Sequence, residues 1–184
     1  MRKKISLAGL LITGAIVGLW GQGKYLTNKG HISFFSHTVI EDIKAENQEV
    51  ASVIDASSGE VAIIVKMTDF QFPKKLMQEH FNENYVESEK FPKARFNGKI
   101  KNNGEVDYSS EGMYEVLVAG EMSIHGISNR VEAEGTIAVT SDGIIARARF
   151  MLNPEDYGIK IPKVVRKNIA EKLEISVELE CQPM

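Results

Sequence analysis

The sequence predicts an all-β domain, an antiparallel sandwich or barrel, interrupted by one helix. Three observations carry this. Several runs alternate apolar and polar residues with period two, the mark of strands buried on one face. Turn pairs such as Ser58-Gly59 and Asp142-Gly143, which tolerate positive φ, separate those runs. After Pro73 the pattern switches to helical spacing.

In chain order, Ile32 to His37 and Val50 to Ile54 are two weaker strand runs. Val61, Ile63, Val65 and Met67 then share one clean apolar face. Pro73 opens a helix expected over 74–88, where Met77, Phe81 and Tyr85 are spaced by four and Leu76 and His80 lie beside them. Phe91-Pro92 returns the chain to extended structure. Asn97-Gly98 fits either a hairpin or a bulge inside a strand, and Asn103-Gly104 reads as a tight hairpin. Val116 and Val118 begin the next strand, which Met122 and Ile124 continue beyond Gly120. His125-Gly126 is a hairpin corner. Ile144, Ala146, Ala148, Phe150 and Leu152 form one face, with Arg147 and Arg149 opposite. Lys163 to Lys172 reads as a second short helical piece. The clearest strand closes the chain: Leu173, Ile175, Val177, Leu179 and Cys181 on one side, and Glu174, Ser176, Glu178 and Glu180 on the other.

The N-terminus is built differently. Arg2, Lys3 and Lys4 precede a charge-free run from Ile5 to Trp20, and Gly21-Gln22-Gly23 follows. A basic start, an apolar run and a small-residue end make a secretory signal over residues 1–23, with cleavage expected before Lys24. An uncleaved anchor is the alternative, although the run is slightly short of the roughly 20 residues a spanning helix needs. Either way residues 24–184 form one domain placed outside the cytoplasm, periplasmic or secreted.

Without residues 1–23, Lys plus Arg falls from 22 to 19 while Asp plus Glu stays at 25, leaving −6. That balance argues against nucleic acid, which needs a basic face, and against a polybasic membrane-surface binder. The one cysteine, Cys181, excludes an internal disulfide and lies on the apolar face of the last strand, where inert packing is expected.

Chemistry is hard to find. His31, His37, His80 and His125 show no zinc-site spacing, and six residues of strand separate the first two by about 20 Å, so no metal is expected. Ser123 and His125 lie two apart on a strand, about 7 Å, too far for a nucleophile and its base. His125 is expected instead to shape its turn through backbone bonds. Glu111, Glu115, Glu121, Glu132 and Glu134 pattern as a solvated surface. No cofactor is implied. The inward residues Val61, Val118, Ala146 and Ala148 are small, which leaves room, but a pocket and a solid core share this composition.

Three patches resemble the YceI-like lipid/polyisoprenoid-binding proteins. They are Gly30 to His37; Met77-Gln78-Glu79-His80-Phe81 running to Tyr85 and then Lys90 to Phe96; and Val118-Ala119-Gly120-Glu121-Met122-Ser123-Ile124-His125-Gly126. The third is the most specific, and Asp156-Tyr157-Gly158-Ile159 is similar to a late family segment. The chain departs from the pattern where Met77-Gln78-Glu79 stands in place of an Arg-Asp pair before the helix histidine. The resemblance covers nearly all of 24–184. It implies an extended, lipocalin-like antiparallel β-barrel of about eight strands with an apolar lipid or isoprenoid ligand in its lumen. The expected ligand contacts are Phe34, Val61, Ile63, Val65, Met77, Phe81, Val118, Ala148 and Phe150, with the helix at the mouth. A lipid-acting enzyme using His37, His80 or His125, and a filled barrel serving as an envelope interaction module, are the competing readings. The sequence does not distinguish a homodimer from a monomer.

Overall fold

The computed structural model describes residues 23–184; the expected signal segment lies outside the described residues, except for Gly23. Eight strands follow in order: β1 Lys24–His37, β2 Asp42–Asp55, β3 Glu60–Lys66, β4 Lys93–Ile100, β5 Gly112–Ile124, β6 Ile127–Thr140, β7 Gly143–Leu152 and β8 Leu173–Pro183. Each pairs antiparallel with the next, and β8 returns to β1 through pairs such as Ile32↔Val177 and Phe34↔Ile175. The sheet is a closed barrel and leaves no edge for another chain to extend.

The alternation sets which side of each strand faces in. Every run with a clean apolar face turns that face inward, while Arg147 and Glu178 pair across the outside of β7 and β8. β1 and β2 are longer than their apolar runs predict, because the register shifts around Gly30 and polar residues continue the pairing.

The two ends differ. Ile54, Ile100, Ile137 and Ile144 are almost fully buried where β2, β4 and β6 end and β7 begins. Tyr25 stacks on Tyr108 there at 5.9 Å. Tyr108 donates to Asn103 Oδ1, and Asn103 Nδ2 donates to the carbonyl of Ala56. That end is a sealed core. The other end carries the connections 38–41, 67–92, 125–126 and 153–172. The second of these holds α1, Lys75–His80.

Several local expectations are corrected. The helix over 74–88 is shorter: α1 gives way at Phe81–Tyr85 to a wider π-helical turn, in which Asn82 Nδ2 donates to the Gln78 carbonyl. Residues 163–172 are successive turns, not a helix, with Val165 N donating to Pro162 O and Asn168 N to Val165 O. Adjacent β-branched Val164 and Val165 disfavour a helix there. Asn97-Gly98 is neither hairpin nor bulge: Gly98 pairs regularly with Val61 on one side and Gly120 on the other. Asn103-Gly104 is a 3₁₀ turn inside a longer connection. Ser58-Gly59, His125-Gly126 and Asp142-Gly143 are hairpin turns as expected, with positive φ at Gly59, His125, Gly126 and Gly143.

Candidate ligand-binding lumen

The inward faces of the strands do not meet at the open half of the barrel. They enclose a cavity of about 220 Å³. Its wall is aliphatic and aromatic apart from Thr136 and parts of Arg95 and Arg147. Phe34, Val61, Ile63, Val65, Phe81, Val118, Ala148 and Phe150 all lie on this wall, on the four strands β1, β3, β5 and β7 and the π turn. Ala94, Ala133, Ala146 and Ala148 keep the space open, since a larger residue at any of them would enter it.

Met77 does not reach this cavity. It lines a second, adjoining chamber of about 220 Å³ under α1 and the 153–172 connection. The two chambers share Phe34, Phe81, Pro154, Ile159 and Leu173. The partition is aromatic: Phe81 lies 5.7 Å from Phe34, 5.5 Å from Phe70 and 5.1 Å from Phe72, ring centre to ring centre. Phe70 and Phe72 escaped the sequence reading, although their alternation just before Pro73 was a usable signal. The inward face of β8 also belongs to the wall, through Leu173, Ile175, Val177 and Leu179.

The outer chamber has a polar margin of Ser36, Glu41, His80 and Asn168. Glu41 accepts from Lys74 Nζ at 3.0 Å and from Asn168 Nδ2 at 3.4 Å, and these bonds hold its carboxyl below the usual range. Ser36 Oγ accepts from Ala170 N at 2.8 Å. Three connections are thus tied together at one side of the mouth.

A second clamp stands at the β5–β6 turn. His125 Nδ1 meets the Tyr157 carbonyl at 3.1 Å, and Nε2 meets Glu87 Oε2 at 2.7 Å. Each ring nitrogen is thus aimed at an acceptor, one a carbonyl and one a carboxylate. Phe91 packs edge-on against the imidazole at 4.5 Å. The bond from His125 is the main cause of a Glu87 carboxyl held below the usual range. The backbone bond of His125 is the expected one; Glu87 is an addition that a pair 38 residues apart gave no means of foreseeing.

The other polar candidates are committed or isolated. His37 bonds Asp42 Oδ1 at 2.6 Å at an exposed strand end. Burial pushes the Cys181 thiol up to about 12, which makes it inert. Among the described residues, no three His, Cys, Asp or Glu side chains converge as metal ligands would.

A sealed, closed β-barrel with an apolar lumen and an aromatic partition below a helical lid defines a class of fold, and comparisons place the chain within it. The YceI-like domain matches residues 24–181, and the chain belongs to that family. No curated protein matches the sequence. Among solved structures, a polyisoprenoid binding domain from Saccharophagus degradans, implicated in plant cell wall breakdown, superposes with a TM-score of 0.76 at 10% identity, over 89% of this chain and 99% of that one. Burkholderia cenocepacia BcnA gives 0.68 at 13% identity, covering 82% and 94%. The Campylobacter jejuni YceI protein gives 0.62 at 16%, covering 80% and 89%. At these identities the likeness is one of fold.

Proposed function

We propose that the protein is an exported carrier that holds one long apolar ligand, a polyisoprenoid or another lipid, in the barrel lumen. The observation that carries this reading is the apolar cavity left inside a closed barrel whose opposite end is tightly packed. The Saccharophagus degradans neighbour, described as a polyisoprenoid binding domain, supports it. The contacts would be Phe34, Val61, Ile63, Val65, Phe81, Val118, Ala148 and Phe150 in the inner chamber and Met77 in the outer one. The basic cluster and charge-free run before Lys24 support export.

Each chamber alone, at about 220 Å³, is smaller than the roughly 300–1,000 Å³ of typical small-molecule pockets. A long chain therefore needs both, and Phe81 must swing aside to join them. Burying about twenty ligand carbons at ~0.8 kcal/mol each contributes roughly 16 kcal/mol gross. Lost motion and chain ordering offset ~4–15 kcal/mol of that. The net of about 1–12 kcal/mol reaches nanomolar affinity only where the ordering cost is at its low end, and it needs few polar contacts. Selection is by length and shape, and Glu41, Ser36 and His80 would meet only the ligand's end group.

The reading is of a binder, not an enzyme. His125 is committed to its clamp, His37 pairs at the surface, and His80 stands exposed at the lid without a bonded carboxylate among the described residues. Native mass spectrometry of protein purified from its own cells tests the proposal. A bound lipid in one-to-one ratio is expected. Ligand-free protein that also refuses added prenyl and acyl lipids would sink it and favour a barrel that serves only as an interaction module.

A further inference from the structure

The open end of the barrel carries apolar side chains that have no packing role. Val39 is 101% exposed, Ile40 55%, Leu76 61% and Val164 89%. They come from three separate connections. The Lys74–Glu41 and Asn168–Glu41 bonds gather those connections around one mouth. Val165, next to Val164, and Met77, next to Leu76, line the outer chamber just beneath.

The last of these connections has a charge opposite to that of the chain. Net charge is −3 overall, yet residues 160–172 hold Lys160, Lys163, Arg166, Lys167 and Lys172 against Glu171 alone. All five basic residues are exposed. Arg166 is paired with Glu155, while the four lysines make no ion pair among the described residues. The acidic total hides this segment, which is why composition argued against a membrane surface. No helix among the described residues is long and apolar enough to cross a membrane.

We propose that this end docks on an anionic phospholipid bilayer, Val39, Ile40, Leu76 and Val164 entering the headgroup boundary while the lysines of 160–172 lie against lipid phosphates. Short apolar tips beside a basic segment suit that boundary, where stems bury and ammonium groups stay with the headgroups. A lipid could then pass between bilayer and outer chamber without crossing water. Docking itself does not depend on a loaded lumen.

The test is co-sedimentation of the full chain with vesicles of phosphatidylcholine alone and of phosphatidylcholine containing about one-third phosphatidylglycerol, at low and high salt. Binding to the anionic vesicles is expected to be at least about ten-fold tighter and to weaken with salt. Lys163→Glu with Lys167→Glu should erase the preference, and Val164→Asp with Ile40→Asp should weaken binding to both vesicles. These sites are exposed, so unchanged thermal unfolding identifies folded variants. The apolar run before Lys24 is the same in every protein compared, so it cannot produce a difference between them. Equal binding to both vesicle types, or wild-type binding by the lysine variant, overturns the proposal. Self-association lost in Val164→Asp, without vesicle binding, would assign the surface to a second copy instead. Ligand retention, read separately by native mass spectrometry, keeps failure here distinct from failure of the carrier reading.

Discussion

His125 and Glu87 are the two non-glycine residues with positive φ among the described residues, at 51° and 45°. That conformation is costly for a side chain with a Cβ, so something must hold each in place. They hold each other, across the gap between the end of the lid and the β5–β6 turn. The depressed Glu87 carboxyl fixes the sign of the pH effect. Its contribution to stability is present above the unfolded-state value, about 4.3, and is lost as pH falls through the lower folded value. Glu87→Gln should therefore melt below wild type at neutral pH, and the gap should narrow at about pH 3. Thermal unfolding across that range checks it; parallel curves would show that the bond contributes nothing. That His125 bonds backbone was legible from its turn position. Its carboxylate partner was not, because the contact depends on where the lid ends.

At the scale of elements, strands were read well where apolar and polar residues alternate cleanly, as in β7 and β8. Connections were read poorly. Asn103-Gly104 has hairpin chemistry, but its chain is pinned by side-chain bonds to Ala56, from the β2–β3 turn, and to Tyr108, further along the same connection. Gly98 and Gly120 face each other in paired strands, and a Cβ on Gly120 would press on the Gly98 Cα and the Asn97 carbonyl. Gly120→Ala should cost about 1–3 kcal/mol through strand separation, seen as a lower urea midpoint. The aromatic partition makes a second prediction. Phe81→Ala should lose at most about 3 kcal/mol, since the ring is only half-buried. It should also join the two chambers, so native mass spectra should show longer lipids retained than in wild type. An unchanged lipid profile would mean that Phe81 is not the barrier.

For the whole molecule, the balance between packed core and open space decides function. The sealed end supplies stability and the open half supplies volume, which lets the lumen be altered without unfolding the barrel. Ala148 lies on the wall of the inner chamber. Ala148→Trp should fill that space at a strain of about 1–3 kcal/mol. Lipid binding in titrations should fall more than about ten-fold, a difference of ~1.4 kcal/mol or more, while the strand signature in circular dichroism is kept. Undiminished binding would place the ligand elsewhere.

By itself the sequence determined which faces turn inward, where most hairpins fall and that one helix breaks the β pattern. These are local properties, written in residue spacing and backbone preference. Only the tertiary structure decided that β8 closes on β1, that one end is solid and the other hollow, and that Met77 belongs to a different chamber from Phe34's neighbours on the strands. The reason is that apolar alternation specifies burial and not what fills the buried space. Whether Ala146 or Val118 meets a side chain or a void depends on residues brought from across the barrel.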